Sequence, residues 1–458
     1  MSHFTIAAIA TGTGGGVGMI RLSGPEAFSI AAAVFLPYNP AKDPCTMPGY
    51  TGALGTVHDA SGTLDEAVLF IYRAPHSYTG EDVAELSCHG GSFVLSKVLS
   101  ALVAAGARPA AAGEFTRRAL QNGKMSLTEA ESVVDIIAAQ NTQSLRAAMG
   151  AMDGALHRAV LAAADTLTDI CAHIAAWIDY PEEDVEEVAT PQLRRKLDTV
   201  AQTLCRLEQS YEQGRLVREG IVTAIVGSAN VGKSTLMNRL AGRERSIVTE
   251  IPGTTRDVIE ESVRLGEWTL LLQDTAGLRE TDDPVEQIGV QRSREALSRC
   301  DLILAVFDNS RPLSPEERTL LEQLGGRTAV AVFNKTDLPP AMPPEEIAEI
   351  REAVTAAVTI SARTGEGLSQ LEAAVSGALG LSRFDPNAAL IANARQLECI
   401  VTARRSLAEG LAALDTGETL DAVSVCLEGA ADALLTLTGA RASAETVDKV
   451  FEQFCVGK

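Results

Sequence analysis

The octapeptide Gly227-Ser-Ala-Asn-Val-Gly-Lys-Ser234 follows directly on the apolar run Ile221–Val226. A buried-type strand that breaks into a glycine-rich turn and then opens a helix builds a phosphate cradle, because its backbone N–H groups converge on anionic oxygens. In such a cradle Lys233 reaches the outer phosphates and the Ser234 hydroxyl ligates Mg²⁺, while Asn230, Val231, Gly232 and Thr235 complete the loop around the nucleotide. This stretch commits part of the chain to an α/β module with a mostly parallel sheet.

Three further motifs decide which nucleotide it takes. Asp274-Thr275-Ala276-Gly277 ends the apolar strand Thr269–Gln273, which sets a carboxylate near the metal and a glycine N–H near the γ-phosphate. Asn334-Lys335-Thr336-Asp337 ends the strand Ala329–Phe333, and the Asp337 carboxylate can accept from the ring N–H and exocyclic amino group of guanine. Adenine lacks that donor pair. Ser361-Ala362-Arg363 follows the strand Ala357–Ile360 and can offer a backbone N–H to the guanine carbonyl. Four motifs in this order and spacing specify GTP.

The segment Arg245–Asp257 reads as the first switch, with Thr249, Glu250, Ile251, Pro252, Gly253, Thr254 and Thr255 against the nucleotide. Thr255 supplies the second hydroxyl for Mg²⁺, and Gly253 permits a close turn at the γ-phosphate. Asn230 has two readings: its carbonyl holds a monovalent cation against the phosphates, or it makes a loop-stabilising hydrogen bond. In Ras-like proteins a glutamine after the Asp-Thr-Ala-Gly motif orients the attacking water, but here Leu278 stands there. A leucine cannot orient water, so one of Glu280, Asp282, Asp283 or Glu286 must, unless hydrolysis is slow.

At 458 residues the chain exceeds a single core, so two to four domains are expected. The eight cysteines are scattered without CxxC spacing, which argues against a zinc site and a disulfide framework. A net charge of −21 disfavours a non-specific nucleic-acid coat but leaves room for a local basic patch. Arg117, Arg118 and the Arg194-Arg-Lys196 run are the candidates for such contacts, against the plainer reading of solvated helix faces. No apolar run reads as long enough for a membrane span and no signal sequence opens the chain, so a cytoplasmic enzyme is expected.

Residues 1–120 alternate strand-like and helix-like segments, residues 121–216 have helical texture, residues 217–383 carry the GTPase motifs, and helical texture resumes over 384–458. The expected architecture is therefore multidomain: an N-terminal α/β domain, a discontinuous all-α domain, and an inserted Ras-like P-loop G domain. Two separate small bundles are the alternative to the insertion. Cys455, fourth from the end, reads as an accessible thiol or as part of a fraying tail.

The whole chain resembles the MnmE (TrmE) family of tRNA modification GTPases. The likeness rests on Gly-Val-Gly-Met-Ile-Arg21-Leu-Ser-Gly24, Ser77–Glu85, His89-Gly-Gly91, Gly113–Ala119, Asn122-Gly-Lys124 and Ile178–Asp184. The Asn-type P-loop, Gly253-Thr-Thr-Arg256-Asp257, Asp274–Arg279 and the terminal Cys455-Val-Gly-Lys458 complete it. The resemblance implies an N-terminal dimerisation domain binding 5-formyl-tetrahydrofolate, or a related one-carbon folate, through Arg21, Glu85, Lys124 and Lys458. It implies K⁺ at Asn230, Thr249, Ile251 and Thr254, Mg²⁺ at Ser234 and Thr255, and catalytic roles for Glu286, Cys455, Arg256 and Asp257. It further implies a homodimer whose G domains meet transiently, an MnmG-type FAD protein as partner, and tRNA as substrate. Together the two proteins would install an aminomethyl or carboxymethylaminomethyl group at C5 of the wobble uridine. Ser228-Ala229 departs from the Arg-Pro common in the family's P-loop, and Pro284 stiffens the approach to Glu286. A GTP-controlled assembly factor with non-catalytic flanks, as in ribosome biogenesis, shares every G motif and stands as the alternative. A folate-dependent one-carbon transferase with a regulatory G module is a third reading.

Overall fold

The fold is that of a computed structural model, which describes residues 4–179, 190–242, 259–273, 300–452 and 454–457. It contains two compact units, residues 1–134 with 435–458, and residues 135–434.

The first unit is built on a seven-stranded sheet ordered β3-β4-β5-β6-β2-β1-β7. Its strands are β1 (Ile6–Ile9), β2 (Val17–Ser23), β3 (Phe35–Pro37), β4 (Thr51–Asp59), β5 (Gly62–Tyr72), β6 (Val83–His89) and β7 (Arg108–Pro109). Only the β1–β7 pair is parallel. Alternation along β4 and β5 turns Val57, Leu69 and Ile71 to a face covered by helices α1 (Ala27–Val34) and α2 (Ser92–Ala104), where Ile30, Leu95, Val98 and Leu102 meet them. The register of β2 on β6 sets Arg21 directly opposite Glu85. Helix α3 (Glu114–Gln121) starts at Gly113, whose φ of +65° few residues but glycine adopt.

Helix α4 (Leu127–Ala138) leads towards the second unit. There α5 (Thr142–Met152), α6 (Ala155–Asp179) and α7 (Thr190–Glu219) precede the nucleotide module. By length and composition alone α6 is apolar enough to cross a membrane, although Arg158, Asp165 and Asp169 interrupt its apolar run. Its buried residues Leu156, Val160, Ala163, Leu167, Ile170 and Ile174 recur at helical spacing, so one face packs inward while Arg158, Asp165 and Asp169 stand elsewhere on the helix.

Through Gly220 the chain passes from α7 into β8 (Ile221–Val226), then α8 (Lys233–Ala241), β9 (Ile259–Leu265), β10 (Trp268–Gln273) and β11 (Leu302–Asp308). Helix α9 (Pro315–Leu324), β12 (Ala329–Asn334), α10 (Pro344–Ala353), β13 (Ala356–Thr359) and α11 (Leu368–Ala378) complete the module. The six-stranded sheet runs β13-β12-β11-β8-β10-β9 and is parallel except for the β9–β10 hairpin. Strands β8, β11 and β12 are buried at every position, as a sheet covered on both faces requires.

Helices α12 (Ala394–Thr416) and α13 (Leu420–Thr438) follow. Helix α12 returns along α7: Arg404 pairs with Glu208 at 2.5 Å, Ser210 Oγ accepts from the Ile391 N–H at 3.1 Å, and Arg194 pairs with Asp415. A Cβ on Gly214 would lie 2.3 Å from the Ile391 carbonyl, so the two segments approach closely. The helices before and after the nucleotide module thus pack on each other.

In the first unit the last helix, α14 (Ala444–Phe451), and the tail after it dock on the N-terminal portion. Arg117 pairs with Asp448 at 2.7 Å, the Gly113 N–H donates to the Cys455 carbonyl at 3.3 Å, and Ala112 bridges to Val456. A side chain at Gly113 would collide with Phe451 and Phe454, and one at Gly457 would meet the Ile9 carbonyl at 2.3 Å.

Candidate functional site

Strand β8 ends inside the second sheet, so the loop after it must turn sharply beneath β11. Gly227 takes φ +148° with Val306 O 2.3 Å from its notional Cβ, Asn230 takes φ +61°, and Gly232 takes φ +102° with Asn334 Nδ2 only 2.2 Å from its notional Cβ. A residue with a side chain pays for such a conformation, which makes Asn230 the strained member of the loop. The Lys233 ammonium folds back onto the Gly227 and Ser228 carbonyls at 2.6 and 2.8 Å, across the mouth of the cradle. Ser234 and Thr235 lie in the first turn of α8.

The base-recognition loops are tied to this cradle. Asn334 donates through Nδ2 to the Val231 carbonyl at 2.8 Å and accepts the Ala362 N–H at 2.9 Å. Its buried amide therefore locks P-loop and Ser361-Ala362-Arg363 loop together, a structural role the motif alone did not specify. Lys335, at φ +67°, pairs with Asp308 at 2.6 Å. Thr336 N–H donates to the Ile360 carbonyl, and Asp337 receives the Ser361 hydroxyl at 2.7 Å with Arg363 at 3.3 Å from its other oxygen. The Ser361 hydroxyl first, and Arg363 with Lys335 after it, hold the Asp337 carboxyl below its ordinary value. The carboxylate therefore keeps its charge to lower pH than an ordinary one. Arg239 of α8 donates to the Ala362 and Arg363 carbonyls and fixes that loop from below.

On the outer side, Ser228 Oγ donates to Glu317 at 2.7 Å, and Arg311 donates to Ser228 Oγ and Glu317, both at 2.8 Å. Burial disfavours charge on Glu317, but the Ser314 N–H, Ser228 and Arg311 outweigh it and hold the carboxyl below its usual range. Sequence reasoning missed Asp308, Arg311 and Glu317, although Ser314-x-x-Glu317 is a legible capping box for α9.

Thr249, Glu250, Ile251, Pro252, Gly253, Thr254, Thr255, Arg256, Asp257, Asp274, Thr275, Ala276, Gly277, Glu286 and Lys458 lie outside the described residues.

The first unit holds a second cluster. Arg21 Nε meets Glu85 Oε1 at 2.7 Å, with the side chains 16% and 11% exposed. The Arg21 guanidinium lies 5.4 Å from the Tyr78 ring centroid and 5.7 Å from that of Phe115. Burial, then the Glu85 charge, raises the Tyr72 phenol above its ordinary pKa, so Tyr72 borders the same carboxylate. Tyr50 packs edge-on against Tyr72 at 5.6 Å, is 70% exposed, and takes φ +60°. Lys124 is exposed and donates to the Pro75 carbonyl at 3.1 Å. A nearly buried carboxylate among aromatic rings, with a lysine in the same unit, suits a flat heterocycle bearing N–H donors and an anionic tail. Gly457 rests on Ile9, the last residue of β1, and on Ala10 after it; Ala8, before them, faces Arg21 across the β1–β2 ladder.

Of the candidate nucleic-acid contacts, Arg118 is 3% exposed and serves Glu81, Glu114 and the Phe4 and Ser23 carbonyls. Arg117 and Arg194 are paired with Asp448 and with Asp198 and Asp415. Arg195 and Lys196 are exposed.

Two family models match the chain: the MnmE helical domain over residues 127–455 and the GTP-binding protein TrmE N-terminus over residues 5–124. Relatives along the whole length carry the name tRNA modification GTPase MnmE. The protein of Symbiobacterium thermophilum is 44% identical, with all of both chains covered. That of Moorella thermoacetica is 42% identical over 99% of each chain, and that of Enterococcus faecalis 40% identical over 100% of this chain and 99% of its own.

Proposed function

The chain belongs to the MnmE family of tRNA modification GTPases, and on that premise we propose a fuller reading of its activity. The protein is a GTP hydrolase of tRNA modification with a P-loop G domain. In our reading its hydrolysis depends on K⁺ and on transient pairing of two G domains in a homodimer. With an MnmG-type FAD protein it installs an aminomethyl or carboxymethylaminomethyl group at C5 of the wobble uridine, in the cytoplasm.

Within the G domain, Lys233 and the loop amides bind the phosphates, Asp337 reads the base, and Glu286 orients the attacking water in place of the glutamine that Leu278 replaces. Ser234 and Thr255 are the hydroxyls that would hold Mg²⁺. Asn230, with Thr249, Ile251 and Thr254, would hold K⁺; its bent backbone and place at the cradle suit that role. Bound K⁺ supplies the charge neutralisation that an arginine finger gives elsewhere. Arg256 and Asp257 belong to the first switch and are assigned catalytic support. In the N-terminal unit Glu85, ordered by Arg21, would meet the folate ring, and Lys124 and Lys458 its carboxylates. The folate supplies the one-carbon unit.

One observation carries this reading beyond a bare GTPase. The tail bearing Cys455 docks on the same unit that holds Arg21 and Glu85. A GTP-controlled assembly factor has no use for that juxtaposition. Nucleoside analysis of tRNA from cells whose sole copy carries Cys455→Ser is the test. Loss of the modified wobble base with normal GTP turnover supports the reading, whereas unchanged modified-base levels remove Cys455 from it.

A further inference from the structure

The leading half of the phosphate loop carries no cation of its own: Gly227, Ser228, Ala229 and Asn230 precede Val231. Its backbone is nevertheless held in two unusual conformations, at Gly227 and Asn230. Something must fix it. We propose that Arg311 is a positioning residue for GTP binding, acting through Ser228 and Glu317 to lock that half of the loop.

The geometry is continuous. Arg311 grips Glu317 with both terminal nitrogens, Nη2 to Oε1 at 2.8 Å and Nη1 to Oε2 at 3.0 Å. A planar fork on a carboxylate fixes direction as well as charge. Glu317, 1% exposed, also accepts the Ser314 N–H at 2.8 Å and so is anchored to the start of α9. Ser228 Oγ sits in the angle of this pair, donating to Glu317 and accepting from Arg311. Arg311 Nε lies 3.9 Å from Asp308, which holds Lys335 of the base loop. Ser228, Asn230, Asp308, Arg311 and Lys335 line one cavity of about 360 Å³. The chain of contacts therefore runs from phosphate loop to base loop.

A hydroxyl bridging an ion pair whose carboxylate is buried transmits position only while both charges remain. Removing it leaves the pair and the α9 cap intact, which separates positioning from folding. The experiment measures GTP and GDP dissociation constants with fluorescent nucleotides, turnover at saturating GTP, and thermal midpoint, on the full-length protein. Ser228→Ala should weaken both nucleotides about fivefold, with saturated turnover and melting close to wild type. Arg311→Ala should weaken them about tenfold or more, and Arg311→Lys should recover only part, because an ammonium cannot fork. Ser228→Thr, which keeps the hydroxyl, should bind as wild type. If Ser228→Ala binds both nucleotides normally, the proposal fails. It fails too if folded Arg311→Ala loses turnover with unchanged affinity. Should Arg311→Ala not fold, Ser228→Ala against Ser228→Thr decides alone.

Discussion

The side chains proposed to touch the nucleotide could be named from the sequence because each motif residue answers one feature of the ligand. Asp337 is the plainest case: a carboxylate that would face guanine's two donors. Asp337→Asn offers an amide N–H in its place, which suits the C2 carbonyl of xanthine. The variant should lose GTP affinity by about a hundredfold and prefer xanthosine triphosphate, as competition with a fluorescent analogue would reveal. Because the Asp337 carboxyl is held below its ordinary value, base recognition by the wild type should persist as pH falls through the usual carboxylate range. It should vanish only as pH drops through the lower value, so a titration of GTP affinity that breaks at the ordinary value contradicts the assignment. Asn334 was legible as a member of its motif, but its bonds to Val231 and Ala362 were not. Gly232→Ala tests that lock: a methyl against Asn334 Nδ2 at φ +102° should cost about 1–3 kcal/mol of stability and weaken GTP binding, read by denaturation and nucleotide titration. Arg21 shows the opposite lesson. The resemblance named Arg21 and Glu85 separately, whereas the β2–β6 register pairs them with each other.

Among the elements, strands bounded by motifs were read nearly to their ends, since an all-apolar run followed by a glycine turn has few alternatives. Helix faces were harder. Arg118 looks solvated in a helical stretch, yet it is buried, because Glu81 comes from the loop before β6 and Ser23 from β2. Helix α6 passes for a membrane span on apolarity while burying only a stripe. The α5 N-cap adds a different link: Asn141 closes a capping box with Ser144 and donates to Thr269 of β10 at 2.8 Å in a buried setting. Asn141→Ala removes cap and bond together and should destabilise the second unit by about 2 kcal/mol, measured by urea unfolding. For α9, Glu317 stays ionised below its ordinary value, so its contribution is complete above that value and fades as pH falls through the lower one. Glu317→Gln should lower stability at neutral pH and flatten the acid limb of the profile.

For the molecule as a whole, the tail is the element to perturb. Gly457→Val puts a branched side chain at φ +98° against the Ile9 carbonyl and should lift the tail from β1. On the proposed function, wobble modification falls by about a hundredfold while GTP turnover stays near normal, since misplacement rather than chemistry is changed. Modified-nucleoside analysis beside a GTPase assay distinguishes this from a general loss of fold. The sequence by itself determined the nucleotide, the family and the run of textures along the chain, because phosphate cradles, base acceptors and hydrophobic periodicity are local properties of consecutive residues. Only the tertiary structure decided which groups meet: Arg21 with Glu85, Arg311 with Ser228 and Glu317, Arg117 with Asp448, and Gly457 on Ile9. Except for Arg311 and Glu317, six residues apart, these partners are far apart in sequence, and sheet register, loop strain and chain return brought them within reach.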